Sequence, residues 1–200
     1  SSSYQREYQL KTDLEHELIR KCRAGNTQFY EPIVKAYEPS GMSFAFSLLG
    51  DIDDAQDALQ EAFIKAYRSL NQFDTTQSFG PWFFQILRNQ CRDVLRSRKA
   101  DFRMEQLDER SELRSTCTEG EPEKMLERKI AADALWKGLA QISEEQREII
   151  VLKEIQGFSY SEIARILNVP EGTVASRLYH ARDGLRDVMS NIRIEAEKSS

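Results

Sequence analysis

The stretch Ser159–Asp187, SYSEIARILNVPEGTVASRLYHARDGLRD, decides how this chain is read. Ile163, Ala164, Ile166 and Leu167 recur at helical spacing. Ser159 stands three residues before Glu162, the order of a capping box in which each side chain serves the other residue's backbone N–H. Asn168 tolerates a left-handed backbone, and Pro170 disfavours helical dihedrals in Val169 before it, so a first short helix stops there. A second is predicted to start at Glu171 or Gly172. Its buried stripe is Val174, Leu178, Ala181 and Leu185, which leaves Thr173, Ser176, Arg177, Tyr179, His180 and Arg182 facing outward. With small Ala164 where two helices must approach, this is a helix-turn-helix whose second member can enter a DNA major groove. An ordinary helical hairpin would share the pattern. The outer face separates the two readings, because hydroxyls, an aromatic ring, a histidine and arginines contact base edges and phosphates, whereas a merely solvated face carries many Lys and Glu.

Working outward, 200 residues make one large domain or two small ones. Charged residues reach 30%, and only 9 glycines and 5 prolines are present, a composition that favours an all-helical protein. No run approaches a membrane span, and the polar start SSSYQREYQLK is not a signal peptide. Cys22, Cys91 and Cys117 are odd in number and far apart, which points to a reducing cytoplasm rather than a disulfide framework. His16 and His180 have no close Cys or His partner, so neither a metal nor a cofactor is expected. A net charge of −5 and a pI near 5.3 argue against strong unaided DNA binding, which depends on neutralising phosphates.

The charge is unevenly spread, and its distribution is more informative than its sum. Apolar positions predict helices over Leu10–Ala24, Thr27–Tyr37 and Pro39–Leu49, all core material. In the next helix, Asp51–Leu70, the acids Asp51, Asp53 and Asp54 complement the helix dipole, but Asp57, Gln60 and Glu61 extend past the first turn and leave an acidic surface for a basic partner. Asn71–Phe79, NQFDTTQSF, reads as a loop carrying two exposed phenylalanines, Phe73 and Phe79. Gly80–Pro81 then starts a helix whose outer face and end carry Arg88, Asn89, Arg92, Arg96, Arg98 and Lys99 against one acid, Asp93. Cations at a helix terminus satisfy the dipole, yet so many beside an aromatic loop suit a nucleic-acid strand better.

Periodicity is lost over Ala100–Pro122, an acidic linker that divides the chain into domains at 1–99 and 123–200. Beyond it, Glu123–Gln141 is predicted helical, and Ser143 with Gln146 caps the helix leading through Gly157 into the helix-turn-helix.

Three blocks in this order resemble the extracytoplasmic function (ECF, group 4) class of sigma factors of the sigma-70 family. They are LLGDIDDAQDALQEAFIKAYRSLNQFD at Leu48–Asp74, PWFFQILRNQCRDVLRSRK at Pro81–Lys99 and ISEEQREIIVLKEIQGFSYSEIARILNVPEGTVASRLYHAR at Ile142–Arg182. The resemblance implies an all-α protein of two small helical domains, sigma regions 2 and 4, joined by a flexible linker. It implies no catalysis, but a promoter-specificity subunit that binds bacterial core RNA polymerase and helps open promoter DNA for a stress or envelope-type regulon. By matching position, Asp57, Gln60 and Glu61 belong to the polymerase-docking helix. The loop Asn71–Phe79, with Phe73 and Phe79, matches the segment that captures a base flipped from the non-template strand. Arg88, Asn89, Arg92 and Arg96 match the helix that binds the minus-ten strand. Gly172, Thr173, Ala175, Ser176, Tyr179 and His180 match the minus-thirty-five reader, with Arg177 and Arg182 on phosphates. A cognate anti-sigma factor, a monomeric free state and a cytoplasmic location are further expectations.

The strongest rival is a stand-alone helix-turn-helix regulator, which would bind palindromic duplex as a dimer. The basic segment Phe73–Lys99 speaks against it, since a dimerisation domain needs no single-strand surface. An enzyme is disfavoured, because the sequence has no phosphate loop, metal-ligand spacing or nucleophile elbow, and Asp53, Asp54 and Asp57 share one helix without partner carboxylates.

Overall fold

The computed structural model describes residues 2–105 and 135–198, with side chains over 12–100 and 135–192. Every regular element among them is helical. Helix α1 (Ser2–Arg23), a 3-10 turn at Thr27–Tyr30, α2 (Glu31–Leu49), α3 (Ile52–Arg68), a 3-10 turn at Leu70–Gln72 and α4 (Phe79–Glu105) form the first bundle. Helix α5 (135–141), α6 (Glu144–Ile150) with a π-helical turn at Val151–Ile155, α7 (Tyr160–Leu167) and α8 (Glu171–Lys198) form the second.

The first core forms where α2, α3 and α4 meet, through Phe44, Ala55, Ala62, Phe83, Phe84 and Leu87, each at most 1% exposed. Burying each large side chain there contributes about 1.5–3 kcal/mol. Gly41 makes the approach of α2 to α3 feasible: a Cβ at that position would lie 2.6 Å from Leu59 Cδ1. The break expected between Tyr37 and Pro39 is absent, and α2 runs through Pro39 as one helix. A proline inside a helix costs about 3 kcal/mol. Here Pro39 and Lys35 both lie on the exposed face, where the carbonyl of Lys35 can meet water, while Ile33, Tyr37, Phe44 and Leu48 bury the opposite stripe.

In the second bundle Ile149, Val151, Leu152, Ile163, Ile166, Val174 and Ala181 are wholly buried. Both capping boxes form as expected, Ser143 with Gln146 and Ser159 with Glu162. Asn168 caps α7 at φ 54°, and α8 begins at Glu171. Rather than a short helix, α8 extends for 28 residues. Cys117, most of the predicted linker and the start of the Glu123–Gln141 helix lie outside the described residues.

The bundles pack against each other. Phe158 meets Phe84 edge to face at 5.0 Å and Trp136 meets Phe46 at 5.6 Å. The Arg147 guanidinium donates to the carbonyl of Leu139 at 2.6 Å and across the interface to that of Leu48 at 3.2 Å.

Candidate nucleic-acid and polymerase interface

Helix α3 supplies the acidic surface. Asp51 caps it by accepting from the Asp53 and Asp54 N–H groups, both at 3.0 Å. Asp54 is turned to structural use, held by Arg98 of α4, whose Nη1 also donates to the carbonyl of Leu49 at 2.8 Å. Asp57, Gln60 and Glu61 remain exposed on the outer face. Beside them lies a groove of about 690 Å³ between α2 and α3, lined by Tyr30, Val34, Gln60, Phe63 and Tyr67 among others. Sequence reading missed this groove, because its apolar walls come from two helices and each stripe reads as core on its own. Tyr30 donates its hydroxyl to the Phe63 carbonyl at 2.9 Å, and burial pushes its phenol well above the ordinary tyrosine range, so it stays a neutral donor.

The loop after α3 corrects the expectation of exposed aromatics. Phe73 and Phe79 are only 3% and 0% exposed. They pack with Trp82 and Tyr37: Phe73–Trp82 at 5.0 Å, Phe73–Phe79 at 5.6 Å and Tyr37–Phe79 at 5.3 Å. Each ring gains more from burial than from standing in water, so the two phenylalanines build the floor of the loop. Asn71, Gln72, Asp74, Thr76 and Gln77 are the exposed groups. Asp74 shapes the tip by accepting from the Thr76 N–H at 2.9 Å and its hydroxyl at 2.8 Å, and those bonds hold its carboxyl below the ordinary range.

On α4 the expected strand-binding residues divide. Asn89, Arg92 and Arg96 are exposed, Arg96 in a solvated pair with Asp93 at 3.1 Å. Arg88 faces the second bundle instead. Its Nε and Nη2 form a fork on the Glu148 carboxylate, at 2.5 and 3.2 Å, with the side chains 12% and 7% exposed. Sequence gave no signal for this pair, whose members stand 60 residues apart. Cys91, one turn further along α4, is buried, and its thiol is pushed up to about 12 by that burial and by nearby Glu148. Burial likewise raises the thiol of Cys22, so neither thiol is a reactive thiolate near neutral pH.

The helix-turn-helix presents its outer face openly. Gly172, Ala175, Ser176, Arg177, Tyr179 and His180 are exposed, Tyr179 at 67%, while Thr173 is half-buried. Ser176 donates to the Thr173 carbonyl at 3.1 Å. Arg182 is paired across the surface with Glu154 at 2.5 Å, in water on both sides.

Comparison with known proteins agrees with this geometry. Residues 33–100 match Sigma-70 region 2 and residues 132–184 match Sigma-70, region 4. The chain is 28% identical over 184 residues to the ECF RNA polymerase sigma factor SigW of Bacillus subtilis, covering 87% of this chain and 96% of that protein. It is 27% identical over 192 residues to the RNA polymerase sigma-H factor of Pseudomonas aeruginosa, covering 94% and 100%. Among solved structures it superposes on the sigma factor RpoE of Bartonella quintana, crystallised with the anti-sigma factor NepR, with a TM-score of 0.67 and 25% identity over 80% of this chain and 96% of that one. Two helical bundles, one matching Sigma-70 region 2 and one matching region 4 with its helix-turn-helix, define a promoter-recognition subunit of RNA polymerase. The chain belongs to the sigma-70 family, in its ECF class. It is a promoter-specificity subunit, and the stand-alone regulator is not favoured.

Proposed function

We propose that the work of initiation is divided among the three surfaces, with residues 1–99 acting as region 2, 100–122 as linker and 123–200 as region 4. Asp57, Gln60 and Glu61 dock on core polymerase, with the adjoining apolar groove receiving a side chain of the same partner. The loop 71–79 captures the flipped minus-ten base, and Phe73 and Phe79 serve it as floor rather than as stacking faces. Arg88, Asn89, Arg92 and Arg96 follow the strand backbone. Gly172, Thr173, Ala175, Ser176, Tyr179 and His180 read the minus-thirty-five duplex with Arg177 and Arg182 on phosphates, Arg182 leaving Glu154 to do so. Flipping one base costs a few kcal/mol, which a shaped loop and backbone cations offset.

The observation that carries this division is the Arg88–Glu148 fork. A strand phosphate and the Glu148 carboxylate are chemically alike for a guanidinium, so Arg88 reaches DNA by exchanging one for the other as the bundles separate. The net charge of −5 fits such borrowed affinity, because the free chain lacks the phosphate neutralisation that polymerase supplies. No described helix is long and apolar enough to cross a membrane, and the chain acts as a cytoplasmic monomer without catalysis of its own. RpoE of Bartonella quintana was crystallised with the anti-sigma factor NepR. An inhibitor of that kind holds this chain as well, covering the α2–α3 surface. The test is promoter-dependent transcription by bacterial core polymerase with and without the chain, with duplex binding by the free chain assayed alongside. Initiation only with both present is expected; tight palindromic binding by the chain alone, without initiation, would contradict the reading.

A further inference from the structure

One stripe of α1 is bonded to the loop 71–78 at both ends. Arg23, the last residue of α1, donates from Nε and Nη2 to the carbonyl of Leu70 at 3.0 and 2.7 Å, and from Nη2 also to the carbonyl of Phe73. Seven residues earlier, two turns along the same stripe, His16 donates from Nε2 to the carbonyl of Gln77 at 2.9 Å, with its ring 6.2 Å from that of Phe73. Ile19, between them, is wholly buried. Glu15 accepts the Tyr37 hydroxyl at 2.8 Å, and Tyr37 in turn packs on Phe79, where the loop enters α4. Entry and exit of the loop are thus fixed from α1, while the Asp74 turn fixes its tip.

Leu70 and Phe73 are each only 3% exposed, so Arg23 supplies their carbonyls with a donor, while the turn keeps a backbone bond of its own from the Phe73 N–H to Leu70 O at 3.2 Å. What a guanidinium adds is direction: a rigid planar fork on two carbonyls sets the path of the chain between them and the angle at which Asn71, Gln72 and Asp74 leave it. A loop that must receive a flipped base benefits from being shaped beforehand, because ordering it during capture would cost about 1–2 kcal/mol per residue.

We propose that Arg23, assisted by His16, is a positioning residue for minus-ten recognition, acting through the loop 71–78 and not on DNA. This rests on the reading of that loop as the base-capture segment. The test uses the full chain in complex with core polymerase and a single-stranded non-template oligonucleotide from a promoter the complex opens. The oligonucleotide is made abasic at one position at a time. In the wild type, one abasic position weakens binding far more than its neighbours. R23A is expected to flatten that discrimination about tenfold, the order set by losing a charged hydrogen bond, while polymerase affinity and minus-thirty-five duplex binding stay unchanged. R23Q, which keeps one planar donor, is expected to fall between and serves if R23A folds poorly; H16A shows a smaller loss. A paired Q72A/D74A variant tests the loop itself. If that variant flattens the abasic profile and the Arg23 variants leave it intact, the positioning role is overturned. If the loop variant leaves the profile intact, the capture reading fails, and the inference with it. A uniform weakening of all three interactions in R23Q would show a merely structural role and also overturn the proposal.

Discussion

The two surfaces proposed to read DNA are built in opposite ways. In region 4 the proposed readers stand on the outer face of α8, Tyr179 at 67% exposure, over a core that is complete without them. In region 2 the proposed capture loop is continuous with the core. Phe73 and Phe79 are its floor, α1 holds its ends, and Arg88 on the adjoining helix is closed against Glu148. Physics accounts for the difference. A base edge in the major groove can be met by side chains projecting from a rigid rod. A base taken out of the stack needs a site already shaped, and such a site has to be fastened to the core.

Substitutions that break this contrast differ in size. Phe79→Ala should destabilise the first bundle by about 3–5 kcal/mol, the usual cost for a buried phenylalanine. Thermal or urea unfolding measures it; a loss under about 0.5 kcal/mol, the scale of surface changes, would return Phe79 to an exposed position. Glu148→Ala leaves Arg88 without its carboxylate and should cost about 1.5–3 kcal/mol in the free chain, read by the same unfolding experiment. The pair Ser176→Ala with His180→Ala should leave unfolding within about 0.5 kcal/mol of wild type. It should nonetheless change preference at one or two minus-thirty-five base pairs by about 1–3 kcal/mol each, seen in promoter profiling. The smallest effect concerns pH. The Asp74 carboxyl is held below its ordinary value of 3.8, first by the Thr76 N–H and then by its hydroxyl. A depressed folded value means that this support is full above 3.8 and is lost only as pH falls through the still lower folded value. Amide exchange at Thr76 and Gln77 should therefore show the same loop order from neutral pH down to about 5. Asp74→Asn should loosen the loop throughout that range.

How far the sequence was legible follows from the range of the interactions involved. The capping boxes at Ser143 and Ser159, the left-handed Asn168 and the Val174, Leu178 and Ala181 stripe of α8 are each set by neighbours within four positions and formed where the sequence placed them, with Leu185 only half-buried at the end of that stripe. Pro39 misled because its helix-breaking tendency is local, whereas the stripe of Ile33, Tyr37, Phe44 and Leu48 that overrides it acts through two other helices. The phenylalanines of NQFDTTQSF misled for the same reason, as turn residues around them say nothing about the Trp82 and Tyr37 rings they meet. Arg88 was recognised as a cation on a basic helix, but its carboxylate partner stands across the linker. The Arg23 contacts, over 47 and 50 residues, leave no periodic trace at all.

In the proposed division Arg88 alone of the strand-binding residues is held by region 4, through Glu148, whereas Ser176, Tyr179 and His180 on α8 stand exposed. That division is tested most directly by the affinity of the free full-length chain for a single-stranded minus-ten oligonucleotide, with Glu148→Gln and Arg88→Ala made singly and together. Release of Arg88 by Glu148→Gln should tighten binding about tenfold, the order of one charge-assisted hydrogen bond, and Arg88→Ala should abolish the gain. An affinity that Glu148→Gln leaves unchanged, or a gain that survives Arg88→Ala, would contradict it.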